Sequence, residues 1–297
     1  MGIFKKFYLT LREQGRYPLN QRSSLRAAWD FSVAQVAARL IPGEVCVEFP
    51  NDTKLIVPPH MKGASHFIFP GLCEFGDMGF VLHFLRPEDL FTDVGANIGA
   101  YTVLAGGAIG CRVVSFEPSA KTFKSLLTNI QVNGFSSRAT AYNKAVGREP
   151  GTLNFSEGLG TENFVQTGGN GATGNTVEVT SLDHALGQSD PVLMKIDVEG
   201  FETEVIAGAA SVLKKESLQA LIIEKNESGS RYGFDESKLH QTIMSFGFKP
   251  FCYSPKTRTI QELPPGMHGN VVYLKNFERA RDRVRNAPKF QYKGFSI

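Results

Sequence analysis

Residues 91–102, FTDVGANIGAYT, join the end of an apolar strand to a glycine-containing turn. Asp93 closes the strand, and Gly95 and Gly99 stand in the turn that opens the next helix. Glycine lets a ligand approach the backbone closely, and the first turn of a helix presents N–H groups without intrahelical partners. Because ligands of doubly wound sheets bind beyond the carboxyl ends of the strands, this stretch predicts a nucleotide-binding turn.

The charge and spacing of this turn distinguish two cofactors. A dinucleotide site favours G-x-G-x-x-G, with the pyrophosphate at the helix N-terminus. Here residues 95–99 read GANIG, and the negative charge of Asp93 would repel a pyrophosphate. An amino-acid tail that carries an amine and a sulfonium would be attracted to that carboxylate. The pattern therefore favours S-adenosylmethionine as the cofactor over a nicotinamide dinucleotide.

The next predicted strand, VVSFEP, leads to a second carboxylate at Glu117. A carboxylate in this position accepts hydrogen bonds from the ribose hydroxyls of a nucleotide. Since NAD carries a similar ribose, Glu117 indicates a nucleoside without choosing between the cofactors. The predicted cofactor-binding residues are Asp93, Gly95, Ala96, Asn97, Gly99, Tyr101, Thr102, Glu117 and Pro118.

A second chemical centre is predicted at residues 195–200, KIDVEG, where the fourth strand of the pattern ends. If that strand stays extended to Glu199, its period of two places Asp197 and Glu199 on one face, and Gly200 then allows the chain to turn. Methyl transfer to a hydroxyl needs aligned reactants and a base for the proton. Asp197 is the first candidate for the base or for the group that orients the acceptor, and Glu199 is the second.

Other roles for these acids remain open at the level of sequence. Asp197 could instead bind the amine of the cofactor, and Lys195 could pair with it on the same face. Glu199 could only cap the helix that begins near Phe201, where a negative charge is favourable. Glu224, near the end of a later strand, raises the alternative of a divalent metal bound by three carboxylates. Spacing alone cannot show that the three converge, so no metal is predicted.

The elements that position these residues alternate between strands and helices from about residue 77 onward. Such alternation is typical of a doubly wound, mostly parallel α/β sheet with crossover helices. Seven strands are predicted, in the stretches DLFTDV, CRVVSFE, ATAYNKAV, VLMKIDV, QALIIEK, KPFCYS and NVVYLK. Helical periodicity is found in AYTVLAGGA, SAKTFKSLLTNIQVN, FETEVIAGAASVLKK and ESKLHQTIMSFG.

The sequence resembles the FkbM-type methyltransferases, a family of Rossmann-like enzymes that use S-adenosylmethionine. The resemblance rests on FTDVGANIGAYT, SFEPSAKTFKSLLTNIQVN, LMKIDVEGFETEVIAGA, IIEKN and HGNVVYLK, in that order across roughly residues 74–275. It implies an S-adenosylmethionine-dependent O-methyltransferase whose acceptor is a hydroxyl of a sugar, a glycolipid or polysaccharide, or a polyketide-like small molecule. Rival hypotheses are an N-methyltransferase acting on a protein or small amine, a nicotinamide-dependent oxidoreductase, and a binding module without catalysis.

Three segments are predicted along the chain: a helical and short-strand extension over 1–72, the methyltransferase domain over 73–281, and a tail over 282–297. In the extension, VCVEFPNDTKLIV is typical of two strands around an Asn-Asp turn. The stretch 158–175 is rich in glycine and asparagine and predicts a mobile loop between two short strands. His83 and His268 are interpreted as structural or surface histidines, and Phe75, Phe80 and Phe84 as packing residues.

Composition restricts the partners. The net charge of +3 is small beside 32 basic and 29 acidic side chains, which disfavours a nucleic-acid partner. The four cysteines form no C-x-x-C pair, so neither a zinc site nor a disulfide framework is predicted. No stretch is apolar enough for an integral membrane segment, and a cytoplasmic protein with a small-molecule or glycan acceptor is expected. Peripheral membrane contact through the basic N-terminus and a homodimer remain open.

Overall fold

The computed structural model describes residues 43–59, 72–155, 165–166, 175–225, 228–264, 266, 269–292 and 295–297. The helices predicted within the first 42 residues and the predicted role of His268 lie outside these residues.

Strands and helices alternate through most of the described residues. The strands are β1 Val45–Glu48, β2 Lys54–Val57, β3 Leu90–Val94, β4 Arg112–Phe116, β5 Ala139–Tyr142, β6 Ala145–Val146, β7 Gly151–Phe155, β8 Val165–Gln166, β9 Asn175–Thr180, β10 Leu193–Ile196, β11 Ala220–Lys225, β12 Lys249–Ser254, β13 Thr259–Glu262, β14 Gly269–Leu274, β15 Gln291–Tyr292 and β16 Phe295–Ser296. The helices are α1 Phe75–Phe84, α2 Ala100–Val103 with a π-helical continuation Leu104–Ile109, α3 Ala120–Val132, α4 Leu182–Leu186, α5 Glu202–Ala207, α6 Ala210–Lys214, α7 Glu236–Ser245 and α8 Phe277–Arg285. Short 3-10 turns cover Pro50–Asp52, Ser136–Arg138 and Ser228–Tyr232.

The central sheet has eight strands in the order β13-β12-β14-β11-β10-β3-β4-β5. Strands β5, β4, β3, β10 and β11 are parallel, and β14 runs antiparallel between β11 and β12. The order reverses between β3 and β10, so the carboxyl ends of these two neighbours form the switch point at which α/β sheets bind ligands. The predicted doubly wound, mostly parallel class is therefore confirmed.

The strand count and one strand boundary differ from the prediction of seven. All seven predicted strands are present, but β13 adds an eighth by folding back on β12 as a hairpin, with Arg258 in the left-handed region at φ 52°. Such a hairpin needs only a short turn and a few β-branched residues, which is a weak signal in sequence. The stretch ATAYNKAV is divided, because β5 ends at Tyr142 and the next two paired residues, β6, belong to a separate sheet.

That separate sheet has the order β6-β9-β7-β8 and lies between the third and fourth strands of the central sheet along the chain. Its strands β7 and β9 flank the glycine- and asparagine-rich stretch 158–175. Within that stretch the described residues Val165–Gln166 form β8, which pairs with β7, and Asn175 begins β9. The predicted loop otherwise lies outside the described residues.

The predicted pair of strands near the N-terminus is present as the hairpin β1–β2. Its turn holds Asn51 and Asp52 at φ 54° and 61°, a conformation that Asn and Asp adopt more readily than most residues. The side chain of Asn129, buried on α3, accepts from the N–H of Ile56 at 2.6 Å and donates to the carbonyls of Ile56 and Ile98 at 3.0 and 2.8 Å. One amide thus joins the hairpin to the glycine turn itself.

Two hydrophobic clusters cover the two faces of the central sheet. Phe80 and Phe84 are buried on α1, Phe75 packs partly buried against the same cluster, and the Nδ1 of the buried His83 lies 2.7 Å from the Tyr253 hydroxyl. These side chains pack as the sequence predicted. The four cysteines are free thiols, and no helix among the described residues has the length and apolarity to cross a membrane.

The buried side chain of Asn129 is expected to contribute more to stability than the side chain of Asn133, which caps the C-terminus of the same helix. Asn129→Ala removes three hydrogen bonds and leaves buried backbone groups unpaired, which should lower the free energy of unfolding by about 2–4 kcal/mol. Asn133→Ala is the matched control, because Asn133 bonds the backbone of Lys54 in the same strand from a less buried position. Urea unfolding checks both, and equal losses would contradict the assigned role.

Candidate active site

The glycine turn after β3 is packed directly against the end of β10. A Cβ on Gly95, at φ 80°, would lie 1.8 Å from the carbonyl oxygen of Asp197, and one on Gly99, at φ 92°, would lie 2.6 Å from the Leu126 side chain. Sequence reasoning explained these glycines by the close approach of a ligand. The structure adds a second reason for glycine, because the chain itself occupies the space where a Cβ would lie at each position.

Glu117 bridges the turn and the end of β4. The buried carboxylate accepts the backbone N–H of Asn97 on Oε2 and that of Ser119 on Oε1, both at 2.9 Å. Burial raises the pKa of this carboxyl to about 7, although both N–H donors act in the opposite direction. Each oxygen of a carboxylate has a second lone pair, so the two that remain are available to further donors.

Asp93 lies beneath the turn at the end of β3. Its carboxylate is buried and accepts the hydroxyl of Thr102 at 2.7 Å, and the same hydroxyl lies 2.7 Å from that of Ser115. Burial raises the pKa of Asp93 to about 6, while the charge of Lys195 opposes the shift. Thr102 therefore orients an acid from behind the turn.

A buried lysine joins the two strand ends. The ammonium of Lys195 on β10 lies 2.6 Å from Oδ2 of Asp197 and 4.7 Å from the centre of the Tyr101 ring. Burial acts to lower the pKa of this lysine, but the charges of Asp197 and Glu74 outweigh burial and raise it. The Tyr101 hydroxyl donates to Glu74 at 2.5 Å, so the aromatic ring is fixed on its polar side as well.

Asp197 and Glu199 come together by a turn, which corrects the expectation of an extended strand. Strand β10 ends at Ile196, and Glu199 has a left-handed φ of 53°. Glu199 was also a candidate cap for the next helix. The carboxylate of Glu202, in the first turn of that helix, accepts the backbone N–H groups of Val198 and Gly200, both at 3.2 Å.

A third carboxylate completes an acidic cluster. Oxygens of Asp197, Glu199 and Glu224 all lie within 4.8 Å of one another, and the three side chains are half-buried. Burial, followed by the charges of the two neighbouring acids, raises the pKa of Glu224 to about 8. The ion pair of Lys195 with Asp197 balances one charge of the cluster, and a proton on Glu224 removes another near neutral pH.

Two clefts open on this edge of the sheet and meet at Gly95, Asn97, Asp197 and Glu199. The first is narrow, with a cavity volume of about 60 Å³, and is lined also by Val94, Phe116, Glu117, Pro118, Thr122, Lys144, Ala145, Val146, Phe155, Val198 and Phe201. The second has a cavity volume of about 300 Å³ and is lined also by Cys73, Glu74, Met78, Asp93, Ala96, Ile98, Ala100, Tyr101, Lys195 and Glu224.

The clefts bring together most of the residues predicted from sequence. Glu117 and Pro118 line the first cleft, Asp93, Ala96 and Tyr101 line the second, and the four residues shared by both were all predicted. Gly99 and Thr102 are in the lining of neither cleft.

Several residues of the clefts were not found by sequence reasoning. Glu74 and Cys73 come from the segment before α1, and Phe155 comes from the small sheet. The only sequence signal for Glu74 was its own acidic side chain in the stretch GLCEFGD, which has no fixed spacing to the glycine turn. Glu202, which lines neither of these two clefts, belongs to the stretch LMKIDVEGFETEVIAGA that carried the family resemblance, but its hydrogen bonds to the turn were not predicted.

A known protein family matches the part of the chain that holds this site. The model of the methyltransferase FkbM domain matches residues 93–250, more than half of the chain, and includes both the glycine turn and KIDVEG. The chain belongs to the FkbM methyltransferase family. The family match does not support the rival hypothesis of a nicotinamide-dependent oxidoreductase. No curated protein matches the sequence closely enough to serve as a relative.

Solved methyltransferase structures are similar to this chain at low sequence identity, with TM-scores below 0.5. An FkbM methyltransferase from Methylobacillus flagellatus KT is 16% identical with a TM-score of 0.45, over 84% of this chain and 60% of that one. This FkbM-family chain thus spans less than two thirds of that protein. TYW2 of Pyrococcus horikoshii, in complex with MeSAdo, is 14% identical with a TM-score of 0.44, over 84% of both chains. TrmK of M. capricolum, in complex with S-adenosyl-homocysteine, is 11% identical with a TM-score of 0.37, over 67% of this chain and 68% of that one.

Removal of the carboxyl of Glu224 is expected to raise stability at alkaline pH. The pKa of Glu224 is about 8 in the folded state and 4.5 ordinarily, so its proton is bound more tightly by the folded protein. The stabilisation that this proton gives is complete below pH 4.5 and is lost as pH rises through 8. Glu224→Gln abolishes the charge, so its melting temperature should exceed that of the wild type by a few degrees at about pH 9, with the difference shrinking toward about pH 5. The exposed Glu149→Gln is the control. A difference for Glu224→Gln that does not change with pH would contradict the assignment.

Proposed function

We propose that this FkbM methyltransferase is an S-adenosylmethionine-dependent O-methyltransferase that acts on a hydroxyl of a sugar, a glycolipid or polysaccharide, or a polyketide-like small molecule. The observation that carries the proposal is the meeting of two clefts at Asp197 and Glu199. One cleft has the features of a nucleoside site, and the other ends in carboxylates that can receive a proton. The acceptor is expected to be a small molecule or glycan rather than nucleic acid.

The residues present fit the cofactor by the chemistry of their donors and acceptors. Glu117 is fixed by Asn97 and Ser119 at the wall of the first cleft, with lone pairs left for the two ribose hydroxyls. Pro118, Phe155 and Phe201 provide apolar contact for an adenine ring in that cleft. Because this cleft is narrow, we expect its aromatic side chains to move apart when the ring enters.

The second cleft fits the amino-acid part of the cofactor. Asp93 and Glu74 offer carboxylates to an ammonium, and Lys195 supplies a positive charge beside Tyr101 for a carboxylate. The net charge of these acids with the single lysine is negative, which favours a cation such as a sulfonium. When bound, S-adenosylmethionine supplies an electrophilic methyl group on that sulfonium.

The position of Asp197 supports a role in binding the acceptor and accepting its proton. One of its oxygens is held by Lys195, so the carboxylate keeps a fixed orientation in the zone where the clefts meet. Asp197 would accept the proton that the acceptor hydroxyl loses on methylation and would release it to solvent. S-adenosylmethionine would supply the methyl group to that oxygen, giving a methyl ether, and would leave as S-adenosylhomocysteine. Glu199 lies within the same cluster and would help to orient the hydroxyl.

Loss of the Glu117 carboxylate is expected to weaken cofactor binding. Glu117→Ala removes charge-assisted hydrogen bonds to ribose, so the dissociation constant for S-adenosylhomocysteine should rise by about 5- to 100-fold, or about 1–3 kcal/mol. Asn143→Ala is the matched control, because Asn143 bonds the carbonyls of Glu117 and Pro118 at 2.8 and 3.0 Å without touching the carboxylate. Calorimetric titration measures both, and equal weakening would show that only the loop conformation matters.

Turnover tests the role of Asp197. Asp197→Asn should reduce the rate of methyl transfer by about 10²- to 10⁴-fold, the usual contribution of a general base, and leave the affinity for S-adenosylhomocysteine within about threefold. Glu204→Gln is the control, since Glu204 pairs with Arg148 on the surface of the neighbouring helix α5. The measurement is transfer of a labelled methyl group to fractionated extract of the source cells. If affinity and turnover fall together, Asp197 belongs to the cofactor site instead.

A further inference from the structure

A third cleft adjoins the acidic cluster on the side away from Glu117. It shares Glu224 with the second cleft and has a cavity volume of about 350 Å³. The described residues that line it are Gly200, Glu202, Thr203, Glu224, Ser228, Gly229, Ser230, Phe234, Asp235, Glu236, Ser237 and Leu239. A volume above about 300 Å³ is in the range of clefts that hold drug-sized ligands, which are larger than a single sugar.

The walls of this cleft are fixed by the turn that carries Glu199. Gly200 has φ 99°, and a Cβ there would lie 2.6 Å from the carbonyl of Ser228, so the Ser228–Tyr232 segment packs directly on KIDVEG. At the far wall, Asp235 caps α7 by accepting the N–H of Ser237 at 2.9 Å and that of Lys238 at 3.4 Å. The cleft is thus formed by backbone packing next to the proposed reacting centre.

The lining has a consistent chemistry. Four carboxylate residues and four hydroxyl residues face the cleft, and its described lining contains no lysine, arginine or histidine. Like charges that meet at an interface are strongly unfavourable, so an anionic ligand is disfavoured here. Hydroxyls and carboxylates are good partners for the hydroxyl groups of an uncharged ligand.

One aromatic ring completes the lining. Phe234 belongs to a cluster in which its ring centre lies 6.2 Å from that of Phe201 and 5.7 Å from that of Tyr232. Contacts within the cluster hold the ring in place, and its apolar surface can receive the carbon–hydrogen face of a ligand. Phe201 also lines the first cleft, so the same cluster connects the walls of both sites.

We propose that the third cleft binds the remote part of the acceptor, and that this acceptor is a hydroxyl-rich chain without anionic groups, longer than one sugar. The inference rests on the proposed O-methyltransferase function and narrows its substrate class. An acceptor hydroxyl at Asp197 would lie next to Glu224, with the following unit extending past Ser230 toward Phe234. Acceptors that carry phosphate, sulfate or carboxylate groups on that unit are disfavoured by the charge of the lining.

The first test is the charge and size of the labelled product. The full-length protein and methyl-labelled S-adenosylmethionine are incubated with extract of the source cells, and the products are separated by anion exchange and then by size. Label in material that the anion exchanger does not retain, and that is larger than a monosaccharide, is the expected result. Label in anionic material, or in single-sugar products, overturns the inference and leaves the proposed function standing. Absence of label despite S-adenosylhomocysteine binding overturns the proposed function itself.

The second test fills the cleft at an exposed residue. Ser230→Trp should raise the KM for the labelled acceptor by about tenfold or more, with the S-adenosylhomocysteine dissociation constant and the maximal rate nearly unchanged. Ser245→Trp, on the exposed end of α7 outside the cleft, is the matched control. A wild-type KM in Ser230→Trp overturns the inference.

Discussion

The ion pair between the buried Lys195 and the half-buried Asp197 is the interaction on which the arrangement of the site depends. An ammonium in the interior of a sheet is unfavourable unless charged partners surround it. Here Lys195 lies on β10 and Asp197 directly follows that strand, and Asp93 and Glu74 add further negative charge. The charge of the lysine thus balances acids from the ends of β3 and β10 and from the segment before α1, and these are the elements that shape the second cleft.

Close backbone packing imposes the second constraint. Gly95 lies against the carbonyl of Asp197, and Gly200 lies against that of Ser228. The loops after β3, β10 and β11, which are neighbours in the sheet, thus touch without intervening side chains. Any side chain at Gly95 or Gly200 would displace the acids as well as the turn. The glycines therefore fix the positions of Asp197 and Glu199, and their relation to a cofactor follows from that packing.

Local chemistry explains what could be predicted from the sequence. The strand-acid-turn pattern around Asp93 and the acids of KIDVEG depend on neighbouring residues, so the fold class and both centres were recognisable. Glu74 reaches Tyr101 only through tertiary folding, and the end of β10 depends on packing against Gly95 and Ser228. Likewise the pairing of β13 with β12 is set by a hairpin register that no residue pattern marks strongly. The missed features are those that long-range contacts decide.

Charge balance links the cofactor, the acidic cluster and the acceptor. Asp197, Glu199 and Glu224 face one another with the buried Lys195 beside them, and burial together with this excess of negative charge keeps a proton on Glu224 near neutral pH. A bound sulfonium and ammonium would bring positive charge to the same cluster and lower the affinity of Glu224 for that proton. By thermodynamic reciprocity, deprotonation of Glu224 would strengthen binding of the cationic cofactor. In the proposed reaction, loss of the methyl group would leave a neutral sulfur, and the cluster would then lose a favourable partner. The same acids that attract the charged cofactor would therefore hold the neutral thioether less tightly, which favours its exchange.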